Sequence, residues 1–225
     1  MTSNSVDYSV SASVSCMDLM DLKTHMEAVE QSNIAFYHYD VVDGIFNRCF
    51  ILGDLLLEKM RCHTTLPIEV HLAVYEPERY LSRFKDADYI AVHYEAMEDP
   101  RHTFEQIRSY GAEPILAYKA STIPGEDFIS LARECPWILK LTVNPGFSGQ
   151  TIQPAAIEHI RMMSDRIKEA GLSTRIQADG NVNPDTIPLL ADAGATIFTG
   201  GSSGLFRNGH TIQKNKDILL SSIKR

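Results

Sequence analysis

Short apolar runs rich in β-branched and aromatic residues alternate with longer amphipathic segments along the chain, and this alternation is its strongest fold signal. The runs predict eight strands, at residues 8–15, 35–40, 67–71, 89–93, 113–119, 138–143, 174–179 and 196–200. The segments between and after them predict helices near residues 19–32, 50–62, 77–85, 100–110, 126–134, 153–170, 184–193 and 211–224. Strands that alternate with helices pair in parallel through right-handed crossovers, and eight such units favour one closed (β/α)8 TIM barrel.

An open doubly wound sheet is the alternative arrangement of the same units. The GxGxxG turn that usually follows the first strand of such a sheet is missing from this sequence. No insertion is large enough for a second domain. We therefore expect residues 1–225 to form a single barrel domain, with residues 1–7 as a flexible N-terminal extension.

The net charge and the cysteine content limit which binding partners and which cellular compartment we expect. The formal net charge of -8 argues against nucleic acid or an anionic membrane surface as a partner. No apolar run approaches the roughly 20 residues of a membrane span, and the polar N-terminus lacks a signal-peptide core. The four cysteines form no CxxC pair, which is typical of free thiols in a reducing cytosol. We expect a cytoplasmic protein, and a homo-oligomer of a size that the sequence does not specify.

Four side chains of metal-ligand type lie where predicted strands end. His38 and Asp40 end the second strand, His71 ends the third, and Asp179 ends the seventh. One histidine at such a place is more often structural, but the four together favour a site, because barrel active sites lie at these strand ends. Residues two apart on a strand share a face, so His38 and Asp40 can reach one ion. Two histidines and two carboxylates suit one divalent transition metal.

Two glycine-rich segments are candidates for binding phosphate. Residues 144–150 follow the sixth predicted strand, and residues 200–204 follow the eighth. Backbone N–H groups in such turns can surround a phosphate, and glycine lets the chain approach closely. Either segment alone is more often an ordinary turn, but both lie on neighbouring parts of one barrel rim, which favours phosphate binding.

The chain resembles the ribulose-phosphate 3-epimerase family from about Ser13 to Phe206. The resemblance rests on the order and spacing of SVSCMDL, YHYDVVDG, EVHL, HYEA, TVNPGFSGQ, ADGNVNPDT and GSSGLF. The segments SCMDL, ADGNVN and SSGLF are more similar to the allulose-6-phosphate 3-epimerase branch. The resemblance implies a barrel of the ribulose-phosphate-binding type and a metal-dependent epimerase acting at C3 of D-allulose 6-phosphate or D-ribulose 5-phosphate.

The same resemblance implies roles for individual residues. His38, Asp40, His71 and Asp179 match the family's metal ligands, and Asp40 and Asp179 match its two proton-transfer residues. The ion implied is zinc, with manganese, iron or cobalt as variants, and no organic cofactor is needed. One aspartate would take the C3 proton and the other would return a proton to the opposite face of a metal-stabilised enediolate. The substrate-binding residues implied are Ser13, His71, Gly146, Phe147, Ser148, Gly149, Gly180, Gly201, Ser202 and Ser203.

The pocket wall departs from the family pattern. Val42, Ala73 and Leu141 stand at positions where family members usually carry methionine, and the small Ala73 predicts room for a longer or differently substituted sugar. The usual HFVPN reads IFNRC at residues 45–49, where Arg48 is expected to be solvated. The usual NP-x-T after the fifth strand reads KAST at residues 119–122.

Three alternatives stay open on the sequence. The first is an epimerase of this family with another sugar phosphate. The second is an aldolase or decarboxylase on a similar barrel that uses Lys119, and the third is a barrel that only binds a metal and a sugar phosphate. His93 and Glu95 are expected to support the ligands, and Trp137 to pack between the fifth helix and the sixth strand. The remaining histidines are expected at the surface: His25, His63, His102, His159 and His210.

Overall fold

The computed structural model describes residues 6–144 and 149–223, and these form a closed parallel barrel in the order β1 to β8. The predicted (β/α)8 barrel is therefore confirmed. The strands are β1 Ser9–Ser13, β2 Tyr37–Val42, β3 Ile68–Ala73, β4 Tyr89–His93, β5 Glu113–Tyr118, β6 Trp137–Leu141, β7 Arg175–Asp179 and β8 Ile197–Gly200. Within the described residues, no helix combines the length and the apolar character needed to cross a bilayer.

Seven α-helices of the described chain cover the outside of the barrel. They are α1 Leu22–Glu30, α2 Asp54–Arg61, α3 Pro100–Ser109, α4 Phe128–Ala132, α5 Pro154–Glu169, α6 Ile187–Ala193 and α7 Ile212–Ser222. The helix predicted at 77–85 is wrong as an α-helix, because this segment forms two 3-10 turns, Pro77–Arg79 and Leu81–Phe84. The buried side chains Leu81 and Phe84 are three residues apart, which matches the 3-10 repeat.

The period-two alternation of a strand decides which side chains of β2 enter the barrel. Tyr37, Tyr39 and Val41 pack in the core between sheet and helices, and the Tyr39 hydroxyl donates to the Gly53 carbonyl at 2.5 Å. The other face of β2, with His38 and Asp40, therefore points into the barrel. This is the local reason that polar ligand-type residues enter an otherwise apolar core.

The barrel closes where β1 pairs with β8, and Arg175 reinforces that junction. Its Nη2 donates to the Asp7 carbonyl at 2.9 Å, to Ser9 Oγ at 2.8 Å and to the Thr196 carbonyl at 3.1 Å. One side chain on β7 therefore holds the backbone before β1 and before β8. Closure matters for the site because it brings the C-terminal end of β1 beside those of β2 and β8.

Replacing Gly194 by alanine should destabilise the fold by about 2–5 kcal/mol. Gly194 ends α6 with φ +111, and an added Cβ would lie 2.4 Å from the Cβ of Ser164 on α5, so backbone strain and a clash combine. Gly111→Ala is the matched control, because Gly111 has φ +88 but open space around it. We expect the control to lose only about 1–2 kcal/mol in urea denaturation. Equal losses in the two variants would contradict the clash with Ser164.

Candidate active site

The structure brings the four predicted ligand residues together inside the mouth of the barrel. One ligand atom from each of His38, Asp40, His71 and Asp179 lies within 4.8 Å of the others. His38 Nε2 is 3.0 Å from Asp40 Oδ1 and 3.5 Å from Asp179 Oδ2, and His71 Nδ1 is 3.1 Å from Asp40 Oδ1. The cluster therefore converges on Asp40 and His38.

Three of these residues lie slightly deeper than the strand ends predicted from the sequence. β2 and β3 each continue for two residues beyond Asp40 and His71. The reason is that the next residues are apolar and buried, and they pair as Val41 with Leu72 and Val42 with Ala73. Two more rungs of the sheet shield the ligand cluster, and Val42 and Ala73 form the wall above it.

The donor set fits one divalent ion. Imidazole nitrogens and carboxylate oxygens bind zinc at roughly 2.0–2.2 Å, so ligand atoms of one site lie within about 4.4 Å of one another. The observed limit of 4.8 Å is close to this, and a small movement of the side chains is sufficient. His38, Asp40, His71 and Asp179 would hold the ion.

His38 and Asp40 each favour the charged form of the other. Burial opposes the charge on His38, but Asp40, Asp179 and Glu69 together outweigh it and raise the pKa of His38 well above its usual value. Burial likewise opposes the charge on Asp40, but the charge of His38 and hydrogen bonds from His38 and His71 hold its pKa well below the usual range. An ion that binds here must therefore displace a proton from His38.

The two carboxylate oxygens of Asp40 have different neighbours. Oδ1 faces the imidazoles of His38 and His71, whereas Oδ2 accepts hydrogen bonds from Ser15 Oγ at 3.0 Å and Ser13 Oγ at 3.3 Å. Ser13 was predicted near the sugar, but sequence reasoning missed Ser15. It follows β1 in a 3-10 turn, Val14–Cys16, that returns its side chain to the site, and nothing in the sequence signals that turn.

A cavity of about 740 Å³ opens above the cluster. Asp40, His71 and Asp179 lie in its wall together with Val42, Ala73 and Leu141, the three positions that depart from the family pattern. The wall also contains most of the predicted substrate-binding residues: Ser13, Gly149, Gly180, Gly201, Ser202 and Ser203. Gly146, Phe147 and Ser148 lie outside the described residues.

Gly180, which lines the cavity after β7, is tightly packed. Gly180 has φ +117, and a Cβ there would lie 2.6 Å from Val143 Cγ2 and 2.8 Å from Thr142 Oγ1. The Gly201 carbonyl accepts hydrogen bonds from the amides of Gly204 and Phe206, which curls this turn so that residues 201–203 line the cavity. Close backbone approach of this kind is what an anion-binding turn requires.

His71 connects the cluster to a second histidine. Its Nε2 lies 2.8 Å from His93 Nε2, and His93 Nδ1 lies 3.1 Å from Glu95 Oε2. Burial lowers the pKa of His93 to about 4, so this imidazole is neutral at pH 7. His93 thus contacts the predicted ligand His71 from behind, and Glu95 holds His93, which agrees with the supporting role expected from the sequence.

Several other sequence expectations are wrong or incomplete. His159 is buried, because it lies on the inner face of α5 beside Ile160, and His25 is half-buried. Trp137 lies in the interior cluster of the barrel, stacked on Phe36 at 5.2 Å between ring centroids, and not between the fifth predicted helix and β6. Exposure of the remaining histidines and of Arg48 agrees with expectation: His63, His102 and His210.

Sequence reasoning also missed four interior residues that contact each other beneath the cluster. Glu69 accepts hydrogen bonds from Trp137 and Gln177, and it pairs with His38 at 2.6 Å. Gln177 in turn donates to Thr199 Oγ1 at 3.0 Å. Spacing in the sequence could have revealed two of them, because Glu69 and Gln177 each lie two residues before a predicted ligand and so share its face of the strand.

Comparison with known proteins points to one family. The model of the ribulose-phosphate 3 epimerase family matches residues 9–206. The ribulose-phosphate 3-epimerase of Methanocaldococcus jannaschii is 33% identical over 194 residues, covering 86% of this chain and 82% of that protein. The ribulose-phosphate 3-epimerase of Bacillus subtilis is 32% identical over 197 residues, covering 86% of this chain and 90% of that protein.

Solved structures of other enzymes share the barrel. The phospho-2-dehydro-3-deoxyheptonate aldolase of Thermotoga maritima has a TM-score of 0.64 at 12% identity, covering 97% of this chain and 69% of that one. The type I 3-dehydroquinate dehydratase of Clostridium difficile has a TM-score of 0.63 at 9% identity, covering 98% and 94%. At these identities the likeness shows the fold alone.

Binding of zinc to the metal-free protein at pH 7 should release about one proton per ion. The reason is that His38 Nε2 carries a proton while it faces Asp40, and this proton must leave before the nitrogen can bind metal. Apparent zinc affinity should accordingly rise with pH. Isothermal titration calorimetry in buffers of different ionisation enthalpy measures the number released. The exposed His102→Asn is the control and should release the same number; zero release from the unmodified protein would contradict the charged pair.

Proposed function

The chain belongs to the ribulose-phosphate 3-epimerase family, and on this basis we propose that it inverts C3 of a ketose phosphate by two-base proton transfer. The observation that carries the proposal is the position of Asp40 and Asp179. They come from separate strands, both flank His38 Nε2, and both line the same cavity. A cavity with two carboxylates on one ligand cluster suits a reaction that removes a proton and returns one.

Substrate orientation follows from the two ends of the cavity. The turns that contain Gly149, Gly180 and residues 201–203 would take the phosphate, because they line the cavity and backbone N–H groups of such turns can bind an anion. The sugar carbons would then extend toward Asp40 and Asp179. Holding the phosphate at a fixed distance from the carboxylates places C3 between them without any further charged side chain.

Asp40 and Asp179 then divide the proton transfer. The carboxylate of Asp40 takes the C3 proton from one face, and Asp179 delivers a proton to the other; exchange of the roles runs the reaction in reverse. Ser13 and Ser15 hold Asp40 Oδ2, so the orientation of that carboxylate is fixed before the sugar arrives. His38 and His71 keep Asp40 ionised, because they hold its pKa below the usual range.

A divalent ion held by His38, Asp40, His71 and Asp179 would stabilise the negative charge that develops on the sugar oxygens. We propose zinc as the resident ion, with manganese, iron or cobalt as substitutes, because two imidazoles and two carboxylates accept all of them. The support is the donor set and its mutual distances.

Among ketose phosphates we place D-allulose 6-phosphate ahead of D-ribulose 5-phosphate, and another sugar phosphate remains an alternative. The support is the wall of the cavity, where Val42 and Ala73 pack in a small buried cluster with Phe46. Short side chains at these positions leave space near the reacting carbons for an additional hydroxymethylene group.

An aldolase-type reaction through lysine has less support. Among the described residues that line the cavity there is no lysine. Lys119 Nζ lies 3.9 Å from the centroid of Phe46, and Lys140 Nζ donates to the carbonyls of Lys119 and Thr122 at 2.6 and 2.7 Å. Burial lowers the pKa of Lys140 to about 8, but its amine already donates hydrogen bonds to the loop after β5.

Asp179→Asn should lower kcat by about 10²- to 10⁴-fold, because the amide cannot exchange the proton that the carboxylate does. The circular dichroism spectrum should stay unchanged, since the two side chains have the same shape. Lys119→Ala is the control and should keep most of the activity. An active Asp179→Asn enzyme would contradict the assigned role, and an inactive Lys119→Ala enzyme would favour the aldolase class.

Solvent deuterium should enter the substrate at C3 during turnover in D2O, which nuclear magnetic resonance of the sugar detects directly. No incorporation with any pentulose or hexulose phosphate, in the presence of zinc, manganese or cobalt, would reject a C3 epimerase.

Ala73→Met should reduce kcat/KM for allulose 6-phosphate at least about tenfold more than for ribulose 5-phosphate, because the longer side chain fills the space for the additional carbon. Val10→Ile, on the opposite side of the sheet in the core between barrel and helices, is a control for overpacking alone. An equal loss for both sugars in Ala73→Met would remove the argument from pocket size.

A further inference from the structure

Glu69 is a fully buried carboxylate inside the barrel that the proposed proton transfer does not use. It lies on β3 directly opposite His38 in the strand register, two residues below the pair formed by Asp40 and His71 and on the same face of the sheet. A carboxylate is expensive to bury, so it is retained in a core only where polar partners surround it. The partners of Glu69 therefore indicate what it does.

Three hydrogen-bond donors converge on Glu69. Its Oε2 lies 2.6 Å from His38 Nδ1 and accepts from Gln177 Nε2 at 2.8 Å, while its Oε1 accepts from Trp137 Nε1 at 2.9 Å. The indole N–H of tryptophan can only donate, and an ionised carboxylate can only accept. Every contact of Glu69 is thus explained if His38 carries a proton on Nδ1.

The orientation of Gln177 supports the same assignment. Its amide nitrogen lies within hydrogen-bond distance of Glu69 Oε2 at 2.8 Å, of Thr199 Oγ1 at 3.0 Å and of His38 Nδ1 at 3.4 Å. A carboxylate acceptor requires the NH2 end of the amide to face it, so the donor end of Gln177 faces Glu69. His38 Nδ1 lies nearer to Glu69 Oε2, at 2.6 Å, than to the Gln177 nitrogen, so Glu69 is its acceptor.

We propose that Glu69 is a positioning residue that holds His38 with its proton on Nδ1, so that Nε2 faces the ligand cluster and the affinity of the site for a divalent ion is high. This rests on the metal site of the proposed function. His38 Nε2 already lies 3.0 Å from Asp40 Oδ1 and 3.5 Å from Asp179 Oδ2, which is the side where the ion would bind. The carboxylate also makes the imidazole a stronger ligand.

Whereas His38 is held through Nδ1, His71 is held through Nε2. Its Nδ1 faces Asp40, and its Nε2 contacts His93, which in turn contacts Glu95. The two histidines therefore present different ring nitrogens to the same cluster. A carboxylate terminates each chain, directly for His38 and through one more imidazole for His71.

The test compares Glu69→Gln with Trp137→Phe in the full-length protein. Zinc affinity is measured by competition with a chromophoric chelator. Glu69→Gln should weaken zinc binding about 10- to 100-fold, because it removes the charge behind His38 and introduces an N–H2 among three donors. Trp137→Phe removes one donor to the other oxygen of Glu69 and leaves His38 its acceptor, so its zinc affinity should stay within about threefold of the unmodified protein.

Both variants lose a buried hydrogen bond, so both should lower the thermal midpoint of the metal-free protein. A purely structural role for Glu69 predicts equal effects of the two variants on zinc affinity. That result, or unchanged zinc affinity in Glu69→Gln, would overturn the proposal.

A second measurement needs no variant and remains available if Glu69→Gln does not fold. Long-range 1H–15N correlation spectra of the zinc-loaded protein, labelled with 15N in histidine, report which ring nitrogen carries the proton. We expect a proton on Nδ1 of His38 and on Nε2 of His71. A proton on Nε2 of His38, or no zinc binding at all, would overturn the proposal. Neither measurement uses a sugar, so an enzyme that fails on every ketose phosphate tests the proposed function separately.

Discussion

The mutual hydrogen bonding of buried ionisable side chains in the barrel interior is the interaction on which the rest of the site depends. Barrels of this kind usually fill that space with branched aliphatic residues. Here the register of β2 and β3 pairs His38 with Glu69 and, two residues further along each strand, Asp40 with His71. Each group would be costly to bury alone, and each is stabilised because its neighbour supplies the complementary donor or acceptor. These side chains can therefore be buried only together.

The rim of the barrel has two regions with different functions. β2, β3 and β7 supply the side chains that would bind metal and transfer protons, and these are rigid because strands hold them. The loops after β6, β7 and β8 supply glycines that line the cavity, and backbone of this kind suits a phosphate. Val42, Ala73 and Leu141 line the same cavity with apolar side chains. Variation there changes the space for the sugar without disturbing the chemistry on either side.

The eight strands, their parallel order and the four ligand residues were all predictable from the sequence. Apolar runs of strand length are local, and ligand-type residues at a fixed offset within them need no knowledge of neighbours. Prediction failed where packing decided the outcome. The segment at 77–85 forms 3-10 turns, in which the buried residues Leu81 and Phe84 are three apart, and the surface position expected for His159 is wrong because α5 turns it inward. Ser15 reaches Asp40 only through a turn without a sequence signal.

The sequence by itself determined which residues face into the barrel and which family the chain resembles, because side-chain alternation and motif spacing are properties of the chain. Only the tertiary structure decided which inward-facing groups are neighbours. Glu69 meets Gln177, 108 residues later in the chain, and Trp137, 68 residues later. Such contacts depend on strand register and on closure of the barrel, since a shift of one residue would turn each side chain to the opposite face. The hydrogen bonds beneath His38 therefore depend on closure of the barrel, although the residues that form them are all visible in the sequence.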